Sequence, residues 1–401
     1  MKIQEINARL AGLAVFRGLR EDPVLADYAA LIRALAQGPA LDVCEAAGRF
    51  EAGLFAADTS DLSEYIASAV LECENICARR AARGQLSPAL EQALDGELRF
   101  LEELSGLGLD DLLDAAGLDA GQKAAYAFLP RWEAHPTGLA AAYKARLSEM
   151  GQVGYGMFAR HHVFMLDGEG RLTPVRHPDP QHLADLPGYE REREKILANT
   201  RGLLAGLPAN NVLLYGDAGT GKSSAVKAIA NEYAPQGLRL VEVKKNQLYL
   251  LPDLMDQLAA NPLKFILFID DLSFASNDDN FAALKAILEG SAGGRAGNIA
   301  VYATSNRRHL VRQTFSDRAG DEVDRTETIA EKTSLSERFG LRIPYLAVNK
   351  AEFLDMVERM AGLYGVTMDR DALRAEAVKF EMHHPGRTPR TARQFIASLS
   401  M

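Results

Sequence analysis

The 401-residue sequence predicts an α/β protein in which an all-helical amino-terminal domain precedes a core with a parallel sheet, and a small helical domain closes the chain. Three observations carry that expectation. Apolar residues recur at helical spacing through residues 1–150, short apolar runs alternate with helical patterns from residue 188, and a glycine-rich loop joins one such run to a helix.

Composition sets the frame. Hydrophobic residues make up 47% of the chain and charged residues 25%, the balance of a folded protein and not of a disordered or collagen-like one. The net charge of −9 resides in residues 1–150, with 14 basic against 23 acidic side chains. A chain built to coat nucleic acid would carry a basic excess, so nucleic acid is not the favoured partner. Three cysteines, Cys44, Cys73 and Cys77, are an odd number that argues against a disulfide framework and fits a reducing compartment. Cys73 and Cys77 are four apart and could share a helix face; as a metal or redox pair they lack partners at recognised spacing, so they read as buried helix cysteines. No apolar run approaches the ~18 residues of a membrane span, and Glu5 and Arg9 stand where a signal peptide would be apolar. The expected location is cytoplasmic, with no membrane partner.

The elements follow in order. In residues 1–150, Ala29, Leu31, Ile32 and Leu35, and later Leu98, Leu101 and Leu104, mark helix faces. Gly38-Pro39, Ser87-Pro88 and His135-Pro136 mark breaks, and Pro88 suits a first helical turn. No catalytic constellation is legible there, so the role of this domain is open. Residues 151–187, rich in glycine and proline, read as a linker with a β-hairpin between His162 and Val175. Its histidines, His161, His162, His177 and His182, lack Cys or carboxylate partners at ligand spacing and read as turn residues.

Residues 188–348 form the α/β domain. A charged helix from Tyr189 to about Gly206 leads into a strand at Asn211–Tyr215 and a helix from Lys222. Strands at Leu238–Val243, Phe265–Ile269, Ile299–Ala303 and Leu341–Leu346 enclose helices at Gln247–Ala260 and Phe281–Leu288. Residues 349–401 are helical again.

The strongest motif is Gly216-Asp217-Ala218-Gly219-Thr220-Gly221-Lys222-Ser223, followed by Ser224. Glycines let the backbone curl around phosphate oxygens with its N–H groups inward, and the helix that begins here adds the positive end of its dipole. Lys222 is placed to reach β/γ-phosphates and Ser223 to ligate Mg2+. About 50 residues on, Phe265–Ile269 ends in Asp270 and Asp271. An acid at the carboxy end of a buried parallel strand lies where such sheets bind ligands. Asp270 is therefore the candidate for magnesium, and Asp271 the residue that orients or deprotonates an attacking water. A third strand ends at Thr304-Ser305-Asn306, where Asn306 either sits between the first two sites and holds that water or simply shapes a turn.

These three motifs resemble Walker A, Walker B and sensor 1 of the AAA+ ATPases, and two further segments match in order. Ser334-Leu-Ser-Glu-Arg338-Phe-Gly340 resembles the box that carries an arginine finger. Gly386-Arg-Thr-Pro-Arg390-Thr-Ala-Arg393 resembles sensor 2 in the helical lid, with Arg393 the alternative to Arg390. The segments Gly188–Thr200, Pro208–Gly216 and Ala303–Leu310 are similar to a family of predicted bacterial AAA+ ATPases classed as a domain of unknown function.

The resemblance covers about residues 175–401 and implies ATP and Mg2+ as cofactors, hydrolysis, and a homo-oligomer in which Arg338 completes a neighbour's site. It also implies that Leu186–Tyr189 lies near the base. Arg307 and Arg308 stay open between subunit contact, phosphate contact and plain solvation, and residues 312–333 read as an exposed insertion. Many AAA+ proteins follow the magnesium Asp with Glu; here Asp271 is one methylene shorter. The implied function is an ATPase that remodels a partner bound through residues 1–150. Alternatives are a slow ATP-dependent switch or adaptor and a DNA-associated loader; a small-molecule kinase is disfavoured because it needs no finger or lid arginine.

Overall fold

A computed structural model describes residues 1–274, 279–289, 296–306, 335–384 and 386–399. The chain divides into two units, Met1–Arg160 and His161–Met401. Arg307, Arg308, residues 312–333 and Ser334 lie outside the described residues.

In the first unit, helix starts coincide with side chains that satisfy free backbone N–H groups. Asp22 accepts from the Leu25 N–H ahead of the Pro23–Gln37 helix, Asp61 from Ser63 and Glu64 ahead of Leu62–Glu72, and Ser87 from Leu90 ahead of Pro88–Ser105. Their apolar faces meet in one core that includes Phe16, Phe50, Leu98, Leu112 and Tyr143. Trp132 stands edge-on to Tyr28 and Phe50 within it. The cysteine expectation fails in two respects: Cys73 is only half-buried, and it shares no helix with Cys77. Cys73 ends the Leu62–Glu72 helix, whereas Cys77 lies in the next helix, Ile76–Ala81. The Asn75 side chain accepts from the Ala78 N–H and starts that second helix, so the two thiols share no helix.

The second unit is built on seven strands: β1 (Val163–Leu166), β2 (Leu172–Pro174), β3 (Val212–Gly216), β4 (Leu238–Glu242), β5 (Lys264–Ile269), β6 (Ile299–Ser305) and β7 (Leu341–Tyr345). Their order is β2-β1-β4-β5-β6-β3-β7. Every neighbour is parallel except the β1–β2 hairpin, and β1 also pairs in parallel with β4, which makes the hairpin one edge of the sheet. Phe265 through Ile269 are all fully buried, as a strand covered on both faces requires.

The helix Lys222–Tyr233 buries Ala225, Val226, Ile229 and Ala230 against the sheet. The helix expected at Gln247–Ala260 is split. Lys245–Leu250 is a 3-10 turn, and the α-helix begins at Leu251 with Pro252 in its first turn. Pro252 has no N–H to give an upstream carbonyl, and the buried Gln247 side chain donates instead to the carbonyls of Leu166 and Asp167.

The last three helices, Lys350–Leu363, Arg370–Met382 and Pro389–Leu399, bury their own cluster around Phe353, Val357, Leu373, Phe395 and Ile396. This is the helical lid beside an α/β core. No helix among the described residues is long and apolar enough to cross a membrane.

Candidate active site

The registers place the chemistry on one edge. Gly216 of β3 lies opposite Tyr345 of β7, Leu214 opposite Thr304 of β6, and Ile269 of β5 opposite Ala303. The Asn306 strand therefore runs between the strand that enters the glycine-rich loop and the strand that ends at Asp270 and Asp271.

A cleft of about 420 Å3 opens at this edge, lined at one end by Ala218 through Ser224, Asp270, Asp271, Thr304 and Asn306. Arg390 and Arg393 of the lid line it from the other side, and Leu186, Pro187, Tyr189, Arg193, Tyr345 and Met360 form a more apolar end. Arg338 is half-buried and does not line the cleft.

The loop needs its glycines. Gly216, Gly219 and Gly221 have φ of 137°, 80° and 85°, which side chains disfavour. A Cβ at Gly216 would stand 2.1 Å from the Tyr345 carbonyl oxygen. At Gly219 it would approach Arg390 and Thr388 at 3.1 and 3.2 Å. The Gly219 carbonyl accepts from the Arg390 N–H at 3.2 Å, which ties the first turn of the lid helix to the loop.

Lys222 is 6% exposed, and its Nζ donates to the carbonyls of Gly216 and Asp217 at 3.0 and 2.7 Å. Burial pushes its pKa down; Asp217, Asp271 and Asp270 oppose that shift, and Arg390 adds to it.

The Ser223 hydroxyl donates to Asp270 Oδ1 at 2.5 Å. Thr304 Oγ1 donates to the same oxygen. Asp271 sits at φ 50°, and its N–H donates to Thr304 Oγ1 at 2.9 Å and to Asp270 Oδ1 at 3.1 Å. Asn306 Nδ2 donates to Asp271 Oδ1 at 2.9 Å. The two acids thus differ in their partners: Asp270 faces the Ser223 hydroxyl, and Asp271 faces Asn306.

Three further side chains complete the cleft: Thr304 and Arg193, which the sequence did not single out, and Tyr189, which falls in the segment expected near the base. Thr304 orients Asp270, and the clue was its spacing: it lies two residues before Asn306 along a strand whose side chains alternate. Tyr189, at φ 58°, stacks on Tyr345 with ring centroids 4.9 Å apart and donates its hydroxyl to the Leu346 carbonyl at 2.5 Å. Arg193, 8% exposed, donates to the Gly188 carbonyl at 2.6 Å and braces that turn. The Tyr189 contacts link residues more than 150 positions apart, which no local pattern reveals.

The donor set fits a nucleotide with a divalent cation. Glycines leave room where a Cβ would collide, a buried ammonium faces the loop, and a hydroxyl and a carboxylate stand at hydrogen-bond distance, as hard oxygen ligands for Mg2+ should. The buried Tyr345 hydroxyl has no hydrogen-bond partner among the described residues, at the end where a base would lie.

No curated protein matches the chain. Among solved structures, RuvB of Thermotoga maritima, titled a Holliday junction branch migration motor, is similar at 18% identity over 54% of this chain and 63% of that one, with a TM-score of 0.34. A single-residue variant of the same protein gives 19% identity, the same coverage and a TM-score of 0.35. The chain thus spans a little under two thirds of those chains, and at such similarity they carry no argument about its activity. Motif order and strand order give the chain the P-loop fold of the AAA+ proteins. The family model described as "Protein of unknown function (DUF815)" matches residues 159–401, more than half of the sequence, and the protein belongs to that family.

Proposed function

We propose that the chain binds ATP with Mg2+ in this cleft and hydrolyses it within a homo-oligomer, coupling nucleotide state to the remodelling of a protein partner bound through residues 1–150. The observation that carries the reading is the paired arrangement of Ser223 with Asp270 and of Asn306 with Asp271 beside the buried Lys222. Ser223 and Asp270 would hold the cation, whose charge offsets that of the phosphates. Lys222 would exchange its loop carbonyls for phosphate oxygens, and the loop N–H groups from Gly219 to Ser223 would bind the remainder. Asp271, oriented by Asn306, would hold the attacking water and accept its proton. Arg390 would bind the γ-phosphate from the lid, with Arg393 the alternative. Arg338 would act on the site of a neighbouring subunit, where a guanidinium stabilises charge on the transferred group.

The test is steady-state ATP hydrolysis per subunit over a wide protein concentration range, with Lys222→Ala as the blank. Specific activity is expected to rise with concentration. Activity at blank level throughout, with nucleotide bound, removes the hydrolytic reading. Mixed oligomers of Arg338→Ala and Lys222→Ala are expected to recover activity if the arginine acts in trans.

One observation favours a second reading, a slow nucleotide-dependent switch. The Asp271 carboxylate is short and already bonded to Asn306, on a backbone held at φ 50°. Misplacement by about 1 Å can cost on the order of 100-fold in rate. Asp271→Glu should then accelerate turnover, and an unchanged rate would dispose of the switch.

A further inference from the structure

The helical unit Met1–Arg160 holds a second cavity, of about 240 Å3, framed by the helices Ile3–Ala11, Pro23–Gln37 and Pro88–Ser105. Its floor is apolar: Tyr28, Ile66, Leu101 and Leu104 line it, and each is at most 2% exposed. Protein interiors are close-packed and seldom leave a void larger than a water, whereas an apolar cavity of about 150 Å3 already admits a benzene-sized guest.

The charge around this cavity is opposite to that of its surroundings. Arg20 and Arg33 line it and are exposed, and no Asp or Glu lines it, although residues 1–150 carry 23 acidic against 14 basic side chains. Neither arginine has an ion pair among the described residues. Arg20 reaches the Ala11 carbonyl only at 3.5 Å.

We propose that this cavity binds a small monocarboxylate with an apolar body, of the medium-chain acid type. The apolar body occupies the floor against Tyr28 and Leu104, and the carboxylate meets the guanidinium groups of Arg20 and Arg33. A planar guanidinium presents two parallel donors that match a carboxylate and is more weakly hydrated than an ammonium, so it suits a carboxylate seated at the mouth of an apolar cavity. An amine or an uncharged head would meet no complementary charge there.

The protein carries its own reporter. Trp132 is the sole tryptophan, stands edge-on to Tyr28 at 6.2 Å between ring centroids, and shares an acceptor with it. Both Tyr28 Oη and Trp132 Nε1 donate to the Leu107 carbonyl, at 3.3 and 3.1 Å. A guest that presses on Tyr28 changes the surroundings of the indole.

The experiment titrates the full-length protein with octanoate, octylamine and octanol, read by Trp132 fluorescence and by calorimetry. Octanoate is expected to give a saturable change, with octylamine silent and octanol at least about tenfold weaker, the worth of a charge-assisted hydrogen bond. The double variant Arg20→Ala/Arg33→Ala, which alters only exposed side chains, is expected to weaken octanoate by at least about tenfold. Ala29→Phe, which fills the cavity, is expected to abolish the response with helical circular dichroism retained. No saturable response to octanoate, or equal binding of octylamine or octanol, overturns the proposal, as does an arginine variant that binds octanoate like the parent protein.

Discussion

Thr304→Val removes one hydroxyl from the centre of the candidate site and keeps the shape of the side chain. Thr304 is 2% exposed, so no water replaces what is lost. Its Oγ1 donates to Asp270 Oδ1 and accepts from the Asp271 N–H at 2.9 Å. The first bond is to a carboxylate, worth about 1.5–3 kcal/mol, and the second is a neutral one, worth about 1 kcal/mol. Burying a methyl in place of the hydroxyl returns part of that sum, so a net destabilisation of about 2 kcal/mol is expected.

The functional consequence is larger in kind. Asp270 would keep its Ser223 contact but lose the donor that sets its orientation, and loss of such outer partners costs about 10- to 100-fold in metal affinity. The assay is titration with a fluorescent ATP analogue, with and without Mg2+. The variant is expected to need at least about tenfold more Mg2+ for half-saturation, with metal-free affinity unchanged. Thr304→Ser, which restores the hydroxyl, should recover most of the loss. A Mg2+ dependence equal to the parent's would refute the role assigned to Thr304 and weaken the assignment of Asp270.

Two other outcomes follow from single contacts. Gly216→Ala would set a methyl 2.1 Å from the Tyr345 carbonyl oxygen at a φ of 137°. The β3–β7 pairing must shift, and nucleotide titration is expected to show loss of binding together with a fall of several degrees in the melting temperature; an unchanged melting temperature would contradict the tight packing. In the helical unit, the His135 ring contacts Asp61 at 2.9 Å. The bond to Asp61, then that to the Pro136 carbonyl, raises the His135 pKa above its ordinary 6.5. Burial works against the Asp61 charge, but the Glu64 N–H, the His135 ring and the Ser63 N–H outweigh it and hold that carboxyl low. A histidine whose pKa is raised on folding adds stability below its unfolded pKa and loses it as pH rises through the folded value. Urea midpoints from about pH 6 upward should therefore fall more steeply in the parent than in His135→Gln, and parallel curves would sink the idea.

Much of the phosphate end was legible locally. Gly216 to Ser223 is one contiguous loop, and an acid at the end of an apolar run such as Phe265–Ile269 needs only the rule that parallel sheets bind at their carboxy edges. The helix start at Pro88 was equally local, because its Ser87 cap bonds a backbone N–H three residues on. Of the misread segments, one depended on distant partners and the other on a local cap that the four-residue spacing overlooked. Gln247 bonds to Leu166 and Asp167, some 80 residues away, and takes the start of a helix with it; Cys73 and Cys77 were parted by a cap at Asn75.

The sequence by itself determined the P-loop chemistry, the order of the strands along the chain and the helical character of both ends, since each rests on short-range spacing and backbone preference. Tertiary structure alone decided that Thr304 would orient Asp270, that Asp271 would face Asn306, and that Tyr189 would stack on Tyr345. The first two contacts arise when parallel strands far apart in sequence are brought into register, and register is set by burial of the whole sheet; the third needs the turn before the Glu190–Leu204 helix to meet the end of β7.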